Sequence, residues 1–335
     1  IRAIADAQRA ALRDVDLTVP GGRAGHTVEP VVRAGCYAPG GRFPLPSSVL
    51  MTVVTARAAG VGEVWVASPR PGDITLAAAA VADADALLAV GGAQAVAALA
   101  YGAGPVPPCD VVVGPGNRWV TAAKRLVAGR VGIDMLAGPS ELVVLADETA
   151  DPSVVAADLL AQAEHDPDAL PIVVATSSRL VDSVEDEITR QLTGLPTRST
   201  AEEALTNGFA VVCGDLETAI AVCDRLAPEH LHVATEDADA VAARARHWGG
   251  LFVGANSAEV FGDYGIGPNH TLPTGGVARF KGGLSVLDFL RVRTWLHLEP
   301  GRESEDVARD AAALARLEGL EAHARAAELR LRMED

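Results

Sequence analysis

The sequence predicts an α/β protein of two parallel-sheet units with helices on both faces, followed by a C-terminal helical arm. Three observations predict it. Strand-like apolar runs alternate with helix-like segments from about Ala34 to Val253, the pattern of a parallel sheet covered by helices. The chain has 335 residues, 49% of them hydrophobic, too long for one domain of usual size and apolar enough for two cores. Its last stretch, Arg302 to Arg330, is charged and rich in Ala and Leu, and is predicted to be a single helix.

Taken in order, Ile1 to Leu12 reads as the middle of an amphipathic helix. Because the first residue is Ile and not Met, an N-terminal part of a longer protein is expected to be missing. A polar Gly-rich stretch, Thr18 to Glu29, leads to a short apolar run, Ala34 to Ala38, within which Tyr37-Ala-Pro-Gly-Gly41 begins. Strands are expected at Glu63 to Ala67, Ala86 to Val90, Asp110 to Val113, Glu141 to Ala146, Pro171 to Thr176, Ala210 to Cys213, Leu231 to Ala234 and Gly250 to Val253. Helices are expected at Ser47 to Ala59, Ala93 to Tyr101, Trp119 to Ala128, Pro152 to Ala163, Ser178 to Leu192 and Leu216 to Leu226. The segments group into a helix remnant and linker (1–27), two Rossmann-like units (28–137 and 138–275) and the arm (276–335). No flexible linker marks the division near Gly138-Pro139.

Composition excludes several classes. A formal net charge of −16 with no basic stripe argues against nucleic acid. No apolar run reaches the roughly 18 residues of a membrane span, and no basic segment precedes an apolar one as in a signal peptide. Cys36, Cys109, Cys213 and Cys223 lack CxxC spacing and read as free thiols. A cytoplasmic protein is expected.

Several places carry chemistry. Gln162 and His165 stand three apart at the end of an apolar helical pattern, so both can project from one face at ligand spacing. Two ligands do not close a site, and taken alone the pair reads more readily as a capped helix end with a partly buried His. Asp110-Val-Val-Val-Gly-Pro-Gly-Asn117 and Leu88-Ala-Val-Gly-Gly-Ala-Gln94 run from strand through a Gly turn into a helix, either as cradles for phosphate or ribose or as plain tight turns. Neither is GxGxxG. In Ala227-Pro-Glu-His230, Glu229 and His230 form a possible proton-transfer pair. Gly262-Asp-Tyr264 and Gly267-Pro-Asn-His270 are poor in core residues, which favours ligand contacts, with Asp263 as a hard oxygen ligand. Glu318 and His323 are five apart on the terminal helix, about 140° around its axis. His26, His232, His247 and His297 lack such company and are assigned no role.

Together these segments resemble histidinol dehydrogenase, a zinc- and NAD-dependent family that ends histidine biosynthesis. The likeness runs from about Ala34 to Arg330 and rests on Tyr37-Ala-Pro-Gly-Gly41, Gly91-Gly-Ala-Gln94, Gly114-Pro-Gly-Asn117, Ile133-Asp-Met-Leu-Ala-Gly-Pro-Ser-Glu141, Ala161-Gln-Ala-Glu-His165, Pro228-Glu-His-Leu231, Gly262-Asp-Tyr264, Pro268-Asn-His-Thr-Leu-Pro-Thr274 and Gly283-Leu-Ser-Val286, in the family's order. It implies a homodimer with an exchanged C-terminal arm and a zinc held by Gln162, His165, Asp263 and His323, the last from the partner subunit. It places NAD contacts on Tyr37, Gln94 and Asn117, and the base pair on Glu229 and His230. Substrate contacts fall on Ser140, His230, His270 and Glu318, and on the four zinc ligands. The implied reaction is the four-electron oxidation of L-histidinol, a small amino alcohol, to L-histidine through histidinaldehyde.

Two features depart from the family pattern: His232 after Pro-Glu-His-Leu, and the segment Lys281 to Trp295. They keep open a paralogous zinc and NAD alcohol dehydrogenase acting on another small polar alcohol such as a sulfonated diol, while Glu318 favours a cationic substrate. The missing start keeps open an inactive, truncated binding protein.

Overall fold

Runs of Val, Leu and Ala bounded by turn residues form the strands. Each is followed by a segment of helical period that crosses back over the sheet, so successive strands lie parallel. The computed structural model describes residues 1–40 and 44–332; Gly41 of the Tyr37–Gly41 motif and the last three residues of the predicted arm lie outside them. Two five-stranded sheets result, each parallel throughout. In spatial order the first contains Ala86–Leu88, Glu63–Ala67, Arg33–Tyr37, Val111–Val113 and Gly132–Ile133. The second contains Phe209–Val212, Leu170–Ala175, Glu141–Ala146, His230–Ala234 and Gly250–Val253. The α/β architecture with a helical C-terminal region is therefore as the sequence predicts.

In both sheets the earliest strand lies in the middle, and the chain winds outward first to one side and then to the other. The winding reverses between Arg33–Tyr37 and Val111–Val113, and again between Glu141–Ala146 and His230–Ala234. A reversal of this kind opens a crevice between diverging connections. Every residue of the second sheet's two central strands is buried, because helices cover both faces. Pro152–Ala163 and Ser178–Gln191 pack Val155, Leu159, Leu180 and Val184 on one side, and Leu216–Leu226 packs Ala219, Ile220 and Cys223 on the other.

The predicted strands, and the predicted helices through Leu226, occur within one or two residues of their expected ends. Other expectations are corrected. The stretch expected as linker up to residue 27 holds strands: Val15–Val19 and Gly22–Pro30 form a hairpin that Leu290–Leu298 extends as a third antiparallel strand. Its turn uses Gly21 with φ +75°, a backbone region that favours glycine. The terminal stretch is not one helix either. Arg302–Leu317 ends, Gly319 takes φ +77°, and Glu321–Glu328 starts anew, so Glu318 and His323 do not share a helix. Helices Asp73–Val81, Arg198–Leu205 and Ala238–Ala242, and the short strand Gly132–Ile133, escaped the sequence reading.

The chain divides into two compact units, one of Ile1–Arg9 with Val31–Phe289 and one of Ala10–Pro30 with Leu290–Asp335. The first holds both parallel sheets, the second the hairpin, its third strand and the two terminal helices. No helix among the described residues is long and apolar enough to cross a membrane. The four cysteines are buried and unpaired with one another.

One buried ion pair shapes a turn at the carboxyl edge of the first sheet. Lys124 Nζ bonds Asp134 Oδ1 and donates to the Gly114 carbonyl at 2.9 Å, while Gly114 N donates to Asp134 Oδ2 at 2.7 Å. Lys124→Met would leave the Asp134 carboxylate buried without a counter-charge, and removing one partner of such a pair costs about 3–5 kcal/mol. A clearly lower urea midpoint is the expected result, measured by circular dichroism.

Candidate active site

The reactive groups gather at the amino edge of the second sheet. Buried Ala227 caps helix Leu216–Leu226 in a left-handed conformation, φ +49°. With Pro228 it turns the chain sharply and delivers Glu229 and His230 to the start of strand His230–Ala234. Ser140 precedes the neighbouring strand. Its Oγ donates to Glu229 Oε2 at 2.7 Å, and Glu141 N donates to the same oxygen at 2.9 Å. Burial pushes the Glu229 carboxyl up to about 8, against these two donors, which favour the ionised form. His230 Nδ1 lies 2.9 Å from the Glu141 carbonyl oxygen. That oxygen can only accept, so Nδ1 carries a proton, and in the neutral imidazole Nε2 is the nitrogen with the lone pair.

Helix Pro152–Ala163 ends at the same edge. Gln162 on its last turn is fully buried, yet neither Oε1 nor Nε2 has a hydrogen-bond partner. An amide buried in this state is costly unless a group from outside the chain meets it. His165 follows just beyond the helix end and is exposed. Glu259 directly precedes the short helix Val260–Asp263 without capping it, and one ligand atom each of His165, Glu259 and Asp263 lie within 4.8 Å of one another. An imidazole, two carboxylates and an unpartnered amide oxygen form a donor set that suits zinc or a similar divalent ion. His270 Nδ1 stands 3.8 Å from Asp263 Oδ1. Asp263 also lines a cavity of about 600 Å³ with Pro46, Leu50, Met51 and Tyr264.

The second group of expected residues lies at the carboxyl edge of the first sheet, beside its reversal point. Tyr37 ends the central strand, and its hydroxyl accepts from Gly92 N at 3.1 Å. Gly114 has φ +110°, and a Cβ there would stand 2.1 Å from the Tyr37 carbonyl oxygen, so only glycine fits. Asn117 caps helix Arg118–Val127, its Oδ1 accepting from the amides of Trp119 and Val120 at 3.1 and 3.2 Å. Its Nδ2 is the polar group left over for a ligand. Gln94 is exposed in the first turn of helix Gly92–Tyr101. Two ten-residue helices thus open beside one crevice, which suits the phosphates of a dinucleotide. These turns lie at the carboxyl edge of their sheet, whereas Glu229 and His230 lie at the amino edge of the other.

Glu318 and His323 belong to the other compact unit, both exposed, the first at the end of Arg302–Leu317 and the second on Glu321–Glu328. Sequence reasoning missed Glu259, although its spacing of four from Asp263 is the spacing that places two side chains on one helical face. It also assigned His232 no role. His232 is fully buried on the strand that begins with His230, its Nδ1 2.9 Å from Asp158 Oδ2 and its Nε2 3.0 Å from the Gly254 carbonyl. Burial alone would lower its pKa, but these two acceptors outweigh that and raise it. Asp158 stands one turn before Gln162, so the pair ties the helix of Gln162 to the strand of His230.

Residues 1–331 match the histidinol dehydrogenase family. A histidinol dehydrogenase of Thermus thermophilus is 52% identical over 313 residues, which cover 92% of this chain and 75% of the relative. One of Parasynechococcus marenigrum is 47% identical over 318 residues, 93% of this chain and 72% of the relative. The crystal structure of histidinol dehydrogenase from Elizabethkingia anophelis superposes with a TM-score of 0.91 at 34% identity, covering 99% of this chain and 78% of that one. With this likeness running over nearly the whole chain, the chain belongs to the histidinol dehydrogenase family, oxidoreductases that act on a CH–OH group.

Proposed function

We propose that this chain oxidises L-histidinol to L-histidine through histidinaldehyde, using a divalent metal, zinc by its donor set, and NAD. The observation that carries the reading is the meeting at one sheet edge of a proton-transfer pair, Glu229 and His230, with the His165, Glu259 and Asp263 cluster. A metal there would polarise an alcohol and then a carbonyl oxygen, and NAD would accept the hydride. His230, held by Glu141 with its Nε2 lone pair free, takes the hydroxyl proton in each oxidation. Glu229 takes a proton from the water that adds to the aldehyde. Ser140 holds the Glu229 carboxylate in place. Each alcohol consumes one water and reduces two NAD.

Gln162, His165 and Asp263 hold the metal and meet the substrate in this reading, with His323 of the partner subunit as a further ligand. His270 and Glu318 bind the substrate, Glu318 pairing with its ammonium group. That carboxylate would repel an anionic diol, which disfavours the sulfonated-diol alternative. Tyr37, Gln94 and Asn117 contact NAD. A homodimer with exchanged arms is supported by the apolar side chains that the second unit exposes, among them Leu17, Val292, Leu296 and Leu317.

The test is steady-state turnover of histidinol with NAD by the zinc-loaded, full-length protein. Two NADH per histidinol, abolished by a chelator and restored by zinc, is the expected result. No NADH formation would overturn the reading.

A further inference from the structure

We propose that the Glu141 side chain is a positioning residue of this reaction, its buried carboxylate seating the loop of His270 against the sheet edge that carries Glu229 and His230; the inference rests on the roles given to those residues above. Glu141 opens the central strand of the second sheet and is 9% exposed. Its backbone holds the two bases: the amide donates to Glu229 Oε2 and the carbonyl meets His230 Nδ1. Any residue except proline could make both contacts, so they do not account for a glutamate. The carboxylate does something else. Its Oε1 accepts from Gly275 N at 2.7 Å, and the Glu229 amide is its second backbone donor. Burial pushes this carboxyl up, opposed by those two amides and by His230. A carboxylate buried beside that of Glu229 is costly. What sets it apart from a neutral acceptor is a charge-assisted bond, roughly twice as strong.

The bond matters because of where the loop leads. Gly275 and Gly276 both take left-handed φ, +64° and +76°, and the residues before them, Thr271 to Thr274, are all buried. A second tie runs beside the first: Gly138 N donates to Thr274 Oγ1 at 2.5 Å. His270 directly precedes this buried run. Its Nε2 is buried without a hydrogen-bond partner, and its Nδ1 stands 3.8 Å from Asp263 Oδ1, beyond hydrogen-bond range, so the seating of the loop sets where the imidazole stands. Glu141 thereby joins three segments at one residue, and a substrate held by His270 meets Glu229 and His230 at a distance that this seat defines.

The test measures histidinol affinity of the zinc-loaded full chain by calorimetry, without NAD, together with kcat and both KM values. Glu141→Ala leaves Gly275 N without its acceptor; histidinol affinity is expected to fall about 10- to 100-fold, the scale of a misplacement near 1 Å, while KM for NAD stays as in the parent. Glu141→Gln still offers an oxygen to Gly275 N but sets its NH2 against the Glu229 amide. It is expected to lie between the two, and is judged by the same criteria if Glu141→Ala does not fold. The same substitutions in a His270→Ala background separate seating from general loosening: acting through His270, they are expected to cost less than about 3-fold there. A Glu141→Ala protein that binds histidinol like the parent, that raises KM for NAD as much as for histidinol, or that loses as much affinity in the His270→Ala background would overturn the proposal alone. A parent that neither binds nor oxidises histidinol would overturn the functional reading itself, and this inference with it.

Discussion

Glu229→Gln is expected to lower kcat by about 10²–10⁴-fold, the usual worth of a positioned general base. The loss should be deepest when histidinaldehyde is the substrate, because that half of the reaction needs an activated water. The amide keeps the shape and can still accept from Ser140 Oγ and Glu141 N, so the change isolates the proton-transfer role. The pH profile checks the cause. Burial raises the Glu229 carboxyl from 4.5 to about 8, so oxidation of the aldehyde by the parent should rise as pH passes through about 8, and that limb should vanish in Glu229→Gln. Stability moves the other way. The folded state holds a proton that the unfolded chain has released, so the group's stabilising contribution is complete below about 4.5 and is lost as pH rises through about 8. Melting curves at pH 5 and pH 9 should therefore show the parent losing more stability than Glu229→Gln. Equal pH dependence in both proteins would remove Glu229 from this role.

His165→Ala is expected to abolish turnover and to weaken zinc binding by more than about 100-fold, beyond what losing an outer-shell partner of a metal costs. Its fold should survive. His165 is exposed, and substitutions at such positions usually shift stability by no more than about 0.5 kcal/mol. The informative measurement is zinc content by mass spectrometry of metals, set beside an unchanged melting temperature. Zinc retained at the parent's stoichiometry would show that His165 is no ligand.

Much of the fold was legible because local chemistry dictates it. The runs at Glu141–Ala146 and His230–Ala234 are apolar enough to be strands buried on both faces, and Asp151 before Pro152 marks a helix start where it occurs. The strand Leu290–Leu298 was readable too: Leu290, Val292, Leu296 and Leu298 alternate with Arg291, Arg293 and His297, a period of two. The helix break at Gly319 carried its own signal, since glycine commonly stands just past a helix end.

The sequence by itself determined the order of strands and helices, and it holds the residue types a metal, two bases and a dinucleotide need. The structure alone decided which sheet edge each set occupies, because parallel strands present two chemically different ends and residue order does not say which end faces the ligand. It decided that Glu259 joins His165 and Asp263, a meeting of segments nearly a hundred residues apart that no local period encodes. It decided the surroundings of Glu229 and His230 as well: burial raises the Glu229 carboxyl to about 8, and a carbonyl on the neighbouring strand meets His230 Nδ1. Burial and cross-strand bonds belong to the packed molecule, and they exist only once the chain has folded.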